Sequence, residues 1–121
     1  MAIKHILAVA AFALASTVTS SAFAHAKLQS SDPQAGSTLA VAPKQVRLKF
    51  NEALEPAFSK ITLAGPDNKE IAVTAVAVDK DDPSVMTAQL PALPAGQYRI
   101  LWSAMTHDSH KMKGEVPFTV K

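Results

Sequence analysis

The sequence predicts an all-β fold: a single Greek-key sandwich or barrel of about seven strands, preceded by a cleaved signal peptide. Apolar residues alternate with polar ones over short runs, and Pro, Gly, Asp and Asn separate these runs. No stretch after the first 24 residues keeps the 3.6-residue period of an amphipathic helix. Together these observations favour a sandwich, with a small barrel as the alternative.

The predicted strands follow from this alternation. The clearest is 45–50, where Val46, Leu48 and Phe50 share one face and Arg47 and Lys49 the other. The turns between strands are predicted from residues 31–36, 43, 65–68, 79–83 and 91–96. The strands are predicted at residues 26–30, 45–50, 58–63, 71–78, 85–90, 98–105 and 115–120.

Two of these strands carry further signals. Tyr98 and Trp102 lie on one apolar face of 98–105, which predicts that both pack in the core rather than form a ligand platform. Pro117 interrupts the last strand and has no N–H to donate. It therefore predicts an edge position or a bulge.

The first 24 residues have the layout of a secretory signal peptide. Lys4 supplies positive charge, residues 6–15 are apolar, and Ala22 and Ala24 form an Ala-x-Ala cleavage site. The apolar run is about half the roughly 20 residues that a membrane-spanning helix needs. We therefore expect a signal peptide at 1–24 and an exported domain at 25–121, with no membrane insertion of the mature chain.

The composition of the mature domain narrows its chemistry. Its 97 residues (121 less 24) are enough for one core, and the absence of cysteine excludes thiolate ligands and disulfides. Without Lys4, 11 basic residues face 10 acidic ones, a net charge of +1, and the basic residues are dispersed. Nucleic-acid binding is therefore not expected.

Histidine is scarce in the mature chain and concentrated at two places. His25 would be its first residue, and His107 and His110 flank Asp108 in Thr-His-Asp-Ser-His at 106–110. If this stretch is extended, the side chains of Asp108 and His110 share one face and that of His107 lies on the other. An N-terminal His25 offers its α-amine and Nδ1 as a chelate.

Three nitrogens and one oxygen in a tetragonal arrangement suit Cu(II) better than tetrahedral Zn(II). The α-amine, with a reference pKa of about 8, must lose its proton to bind, so affinity should weaken as pH falls. A plain structural interpretation also fits the spacing. In it Asp108 forms a turn, the histidines are exposed loop residues and His25 is a frayed terminus.

Three blocks of the sequence resemble one known family. They are His25-Ala-Lys-Leu-Gln-Ser-Ser-Asp-Pro, Phe50-Asn-Glu-Ala-Leu-Glu-Pro-Ala-Phe-Ser, and Trp102 followed by Asp108-Ser-His-Lys-Met-Lys-Gly. In this order and register they resemble the CopC family of periplasmic copper-binding proteins. The resemblance runs from His25 to Lys121.

The resemblance implies a cupredoxin-like or immunoglobulin-like β-sandwich that binds one Cu(II) through His25, Asp108 and His110. Glu52 matches an acidic position sometimes placed near that site, which implies a weak or indirect role, although a solvated carboxylate fits it equally. His107 is expected to be a neighbour of the site rather than a ligand.

Some members of the family also hold Cu(I) in a methionine-rich loop, but the matching region 61–78 has no methionine. Met86, Met105 and Met112 stand singly, so a Cu(II)-only protein is expected.

The function implied is a periplasmic protein, not an enzyme, that holds or carries Cu(II) for copper homeostasis, tolerance or delivery. Its partners would be an inner-membrane copper transporter or another periplasmic copper protein. Two alternatives stay open: a copper oxidase or monooxygenase, and a metal-free β-sandwich interaction module. Asp108 argues against an oxygenase, because a fourth protein donor fills the position that a catalytic metal keeps open.

Overall fold

The computed structural model describes residues 27–121, which form two β-sheets packed around one apolar core. One sheet has the strand order β1-β3-β7-β6 and the other β2-β9-β8-β4-β5. The strands are β1 (Leu28–Asp32), β2 (Ser37–Leu39), β3 (Gln45–Phe50), β4 (Lys60–Ala64), β5 (Glu70–Ile71), β6 (Thr74–Val78), β7 (Val85–Gln89), β8 (Gly96–Met105) and β9 (Lys111–Val120). The predicted all-β sandwich is confirmed.

Short 3-10 helices, Pro56–Phe58 and Pro66–Asn68, lie in two of the connections. Across residues 27–121, the structure shows no helix with the length and hydropathy needed to cross a bilayer.

The core consists of the inward faces that the alternation predicts. Val46, Leu48 and Phe50 of β3 are fully buried. Trp102 lies edge-on to Phe50, with ring centroids 5.0 Å apart and an interplanar angle of 73°. Tyr98 stacks on Phe118 at 5.4 Å. Aromatic pairs at these separations contribute stability beyond that of the area they bury. Both aromatic residues of β8 therefore belong to the core, as predicted.

The hairpin of β8 and β9 is the longest pairing in the described chain. Its ten residue pairs run without a register shift from Gly96 opposite Val120 to Met105 opposite Lys111. Both strands extend further than predicted. β8 ends, and β9 begins, at the turn that carries His107 and His110.

Pro117 lies inside the sheet and not at an edge or a bulge, so that prediction is wrong. β9 runs between β8 and β2, and Pro117 stands opposite Arg99 in regular register. Its carbonyl accepts a hydrogen bond from the N–H of Gly36 at 2.7 Å, on the side of β2. Because the N and C=O of a strand residue point to the same side, the missing N–H also faces β2, whose pairing begins only at Phe118.

The stretch 71–78, predicted as one strand, is divided between the sheets. β5 pairs with β4 in one sheet, and β6 pairs with β7 in the other. Ala75 has a left-handed φ of 52°, and the register shifts between Thr74 and Ala77. Alternation indicates an extended backbone, but it does not say which sheet each residue joins.

Smaller differences occur at other strand ends. The first strand begins at Leu28, and the predicted start at Ala26 lies outside the described residues. Residue 58 belongs to the helix Pro56–Phe58 rather than to a strand, and it is 60% exposed. The predicted turn near Gly36 is followed by the short strand β2, which pairs in parallel with β9.

We predict that Gly114→Ala destabilises the fold by about 1–3 kcal/mol, the usual cost of overpacking. A Cβ at Gly114 would lie 2.5 Å from Cζ2 and 2.8 Å from Cε2 of Trp102, which stands opposite it in the hairpin. Urea unfolding followed by the fluorescence of Trp102, the chain's only tryptophan, measures the change. Lys113→Ala, an exposed neighbour, is the control, and equal stability of the two variants would contradict the prediction.

Candidate metal centre

The candidate centre is built on residues 106–110, which connect β8 to β9. The N–H of Ser109 donates to the carbonyl of Thr106 at 2.9 Å, and the N–H of Thr106 donates to the carbonyl of His110 at 3.0 Å. Ser109 has a left-handed φ of 64°. A tight turn followed by a left-handed residue is a common three-residue hairpin connection. We call residues 106–110 the 106–110 turn.

This geometry replaces the extended backbone that the sequence analysis assumed. His107 and Asp108 are the two central residues of the turn, and His107, Asp108, Ser109 and His110 are all exposed. Alternation of faces does not apply in a turn, so the argument that separated His107 from Asp108 and His110 by strand face is wrong. Ligand roles for Asp108 and His110 stay predictions.

The structure brings Asp108 and His110 into one turn but not into a complete centre. Within residues 27–121, no three His, Asp or Glu side chains are grouped so that they could hold a metal ion. His25 and the predicted signal peptide at 1–24 lie outside the described residues.

Residues 51–59, which we call the 51–59 segment, lie beside the turn and support it. Leu54 forms an isolated antiparallel bridge with the buried Thr106. The N–H of Glu55 donates to the carbonyl of Met105 at 2.7 Å. Ser59 Oγ donates to the carbonyl of Glu55 at 2.8 Å, which fixes the backbone of Glu55 a second time. The segment thus lies against the end of β8 and the start of the turn.

A side-chain pair joins this segment to the centre of the turn. Nδ1 of His107 lies 2.6 Å from Oε1 of Glu55, with the His107 side chain 60% exposed and that of Glu55 35% exposed. Glu55 is not among the site residues predicted from the sequence. Its proximity to His107 depends on a contact between residues 52 positions apart, which no local pattern records.

The same segment holds the start of the described chain. The N–H of Lys27 donates to Oδ1 of Asn51 at 2.5 Å, and the N–H of Asn51 donates to the carbonyl of Lys27 at 3.1 Å. Glu52 follows Asn51 and is half-buried. Lys27 and Thr106 are therefore both held by one short stretch, residues 51–54.

A charged cluster at the edge of the 51–59 segment lies at one end of the sheet that contains β3 and β7. Nζ of Lys49 donates to Oδ2 of Asp82 and to Oγ of Ser84, both at 2.7 Å. The hydrogen bond from Lys49, followed by those from Ser84, lowers the pKa of Asp82 from its ordinary 3.8 to about 2. The carbonyls of residues 83 and 84 accept from the N–H groups of Leu54 and Phe50 at 2.9 and 2.8 Å.

The methionines do not form a second centre. Met86 is fully buried in the core. Met105 and Met112 are half-buried and occupy opposite faces of the hairpin, since Met112 stands opposite the buried Ala104 and Met105 is the next residue along β8. The described residues thus contain no cluster of thioethers.

The fold and the turn define a β-sandwich protein with histidine and aspartate at one end. The chain belongs to the CopC family, because the family model described as "CopC domain" matches residues 28–121. Copper resistance protein C of Escherichia coli is 40% identical over 111 residues, covering 86% of this chain and 87% of the relative.

Two further similar proteins are notable, one for its methionine content and the other for its length. The crystal structure of PcoC, a methionine-rich copper resistance protein from E. coli, superimposes with a TM-score of 0.69 at 38% identity, covering 81% of this chain and 100% of that one. The copper transport protein CutJ of Bacillus subtilis is 34% identical over 99 residues, or 81% of this chain. This chain spans only 18% of the length of CutJ.

We predict that Asp82→Asn lowers stability at neutral pH and that this difference disappears in acid. A carboxylate with a lowered pKa contributes stability above its ordinary value of 3.8, and the contribution is lost as pH falls toward about 2. Thermal unfolding of both proteins between pH 7 and pH 2 measures the difference. Asp81→Asn in the same turn is the control, and a difference for Asp82→Asn that does not change with pH would contradict the assignment.

Proposed function

We propose that this protein, exported and cleaved after Ala24, binds one Cu(II) through His25, Asp108 and His110 and holds or carries it in the periplasm. The observation that carries the proposal is the pairing of Lys27 with Asn51, which belongs to the 51–59 segment that supports the 106–110 turn. Two residues of extended chain span at most about 7 Å, and this short reach from Lys27 supports a ligand role for His25 at this corner.

The chemistry of the donor set fits copper. Imidazole and amine nitrogens with one carboxylate oxygen suit Cu(II), which tops the affinity order of the divalent first-row metals at most such sites. The described residues supply two of the protein side chains, and a mature N-terminus at His25 would supply an amine and a third side chain.

Copper is cargo in this proposal rather than a catalytic cofactor. The relatives compared above are described as copper resistance and copper transport proteins, which supports a role in tolerance or delivery without catalysis. The length of CutJ supports a copper transporter as the partner, because a domain similar to this one forms less than a fifth of that copper transport protein. We propose that the present chain meets such a transporter, or another periplasmic copper protein, as a separate molecule.

The positions of the methionines support Cu(II) as the oxidation state. The soft Cu(I) ion prefers thioether clusters. Met86 lies in the core, and Met105 and Met112 lie on opposite faces of the hairpin. These positions favour a protein for Cu(II) only.

We predict that His110→Ala weakens Cu(II) binding by more than about 100-fold, because losing a direct ligand should cost more than the 10- to 100-fold typical of outer contacts. The mature protein, beginning at His25, is titrated with Cu(II) against a competing chelator, and quenching of Trp102 fluorescence reports binding. Asp108→Ala should also weaken binding. Gln97→Ala, exposed near the other end of the hairpin, should bind like wild type.

Wild-type affinity in the His110→Ala variant would contradict the proposed ligand set. A wild-type protein that does not bind Cu(II) under these conditions would contradict the proposed function itself.

A further inference from the structure

We propose that Glu55 and His107 are positioning residues: their side-chain contact holds the 106–110 turn in the shape that presents Asp108 and His110 to copper. The proposal rests on the proposed function. It concerns two residues that carry no ligand role in that proposal.

Glu55 is suited to hold another side chain because its own backbone is fixed. Its N–H donates to the carbonyl of Met105, and its carbonyl accepts from Ser59 Oγ. Ser59 is buried and its Oγ also accepts from the N–H of Met105 at 3.4 Å. Glu55 is thus bound to Met105 directly through its N–H and indirectly, by way of Ser59, at its carbonyl. The backbone that carries its carboxylate is therefore held in place.

His107 is the residue through which this position reaches the turn. It is the first of the two central residues, and Asp108 is the second. The two backbone hydrogen bonds of the turn join Thr106 to Ser109 and to His110 but involve neither central residue. The contact at 2.6 Å between Nδ1 of His107 and Oε1 of Glu55 therefore ties down the part of the turn that these bonds leave out.

The consequence is that one segment orients both parts of the proposed centre. Asn51 holds Lys27 near the start of the mature chain, and Glu55, four residues later, holds His107. Ordering exposed side chains and loops on binding costs free energy, and this cost is smaller when the turn is already fixed before the metal binds. The contact should therefore strengthen copper binding without either residue touching the metal.

Four variants test the contact: Glu55→Ala, His107→Ala, the double variant, and Glu55→Gln. We expect each alanine variant to weaken Cu(II) binding by about tenfold, the lower end of the range for outer contacts. The double variant should be no weaker than either single one, because both remove the same contact. Glu55→Gln should recover most of the affinity, since its amide oxygen still accepts from Nδ1–H.

Glu115→Ala is the matched control. Glu115 forms an exposed side-chain pair with Arg99 at 3.1 Å on the same hairpin, away from the turn. Its removal should leave Cu(II) affinity unchanged, which separates the loss of a surface ion pair in general from the loss of this one.

A second measurement needs no metal. In the contact described, Nδ1 of His107 donates and Oε1 of Glu55 accepts, so the neutral imidazole should carry its proton on Nδ1. Nitrogen-15 NMR of the metal-free protein at pH 8 should show this tautomer in wild type and Glu55→Gln and lose it in Glu55→Ala. The same tautomer in all three proteins would overturn the contact.

The copper measurements separate the remaining outcomes. If the losses for Glu55→Ala and His107→Ala multiply in the double variant, the two residues act independently and the proposal is wrong. If His107→Ala removes a nitrogen coupling from the electron paramagnetic resonance spectrum while Glu55→Ala changes nothing, His107 is a ligand and the proposal is again wrong. Absence of Cu(II) binding by wild type would instead refute the proposed function, and this proposal would fall with it.

Discussion

The bridge between Leu54 and Thr106 is the contact on which the arrangement of the candidate centre depends. It joins a loop between the two sheets to the end of the longest hairpin in the described chain. Glu55 bonds to β8 one residue further along, and Asn51 bonds to Lys27 three residues before. Residues 51–54 therefore contact both Lys27 and the start of the 106–110 turn.

The rest of the structure supports this crossing. The chain has no cysteine, so its stability comes from packing and hydrogen bonds. The ten-pair hairpin of β8 and β9 holds Trp102 against Phe50, and the next residue after Phe50 is Asn51. On the other side, the 82–84 turn accepts hydrogen bonds from Phe50 and Leu54 and pairs Asp82 with Lys49. The exposed 106–110 turn thus rests on a support that is itself buried or paired.

Sequence reasoning predicted the features that depend on local pattern. The alternation in 45–50 located β3 to the residue, and the aromatic face of β8 proved to be core. It did not predict features that depend on distant partners, such as the division of 71–78 between two sheets or the contact of Glu55 with His107. The turn at 106–110 lay between these cases, because a turn at Asp108 was one of two interpretations of its spacing, and the other, an extended strand, is wrong.

The relation between His25 and the described residues is the centre of this account. Asp108 and His110 share a turn, and Lys27 is held at its supporting segment, but the proposed centre is complete only with a free amine on His25. This requirement distinguishes the copper proposal from a metal-free sandwich with exposed histidines, which would be indifferent to the chemistry of its N-terminus.

The most direct test compares the Cu(II) affinity of the mature chain beginning at His25 with that of the same chain carrying one additional glycine before it. The extension converts the α-amine of His25 into a peptide nitrogen and leaves every described residue unchanged. The account predicts that affinity at pH 7.5 falls by more than about 100-fold, beyond the usual effect of an outer contact. Equal affinity of the two chains would contradict it.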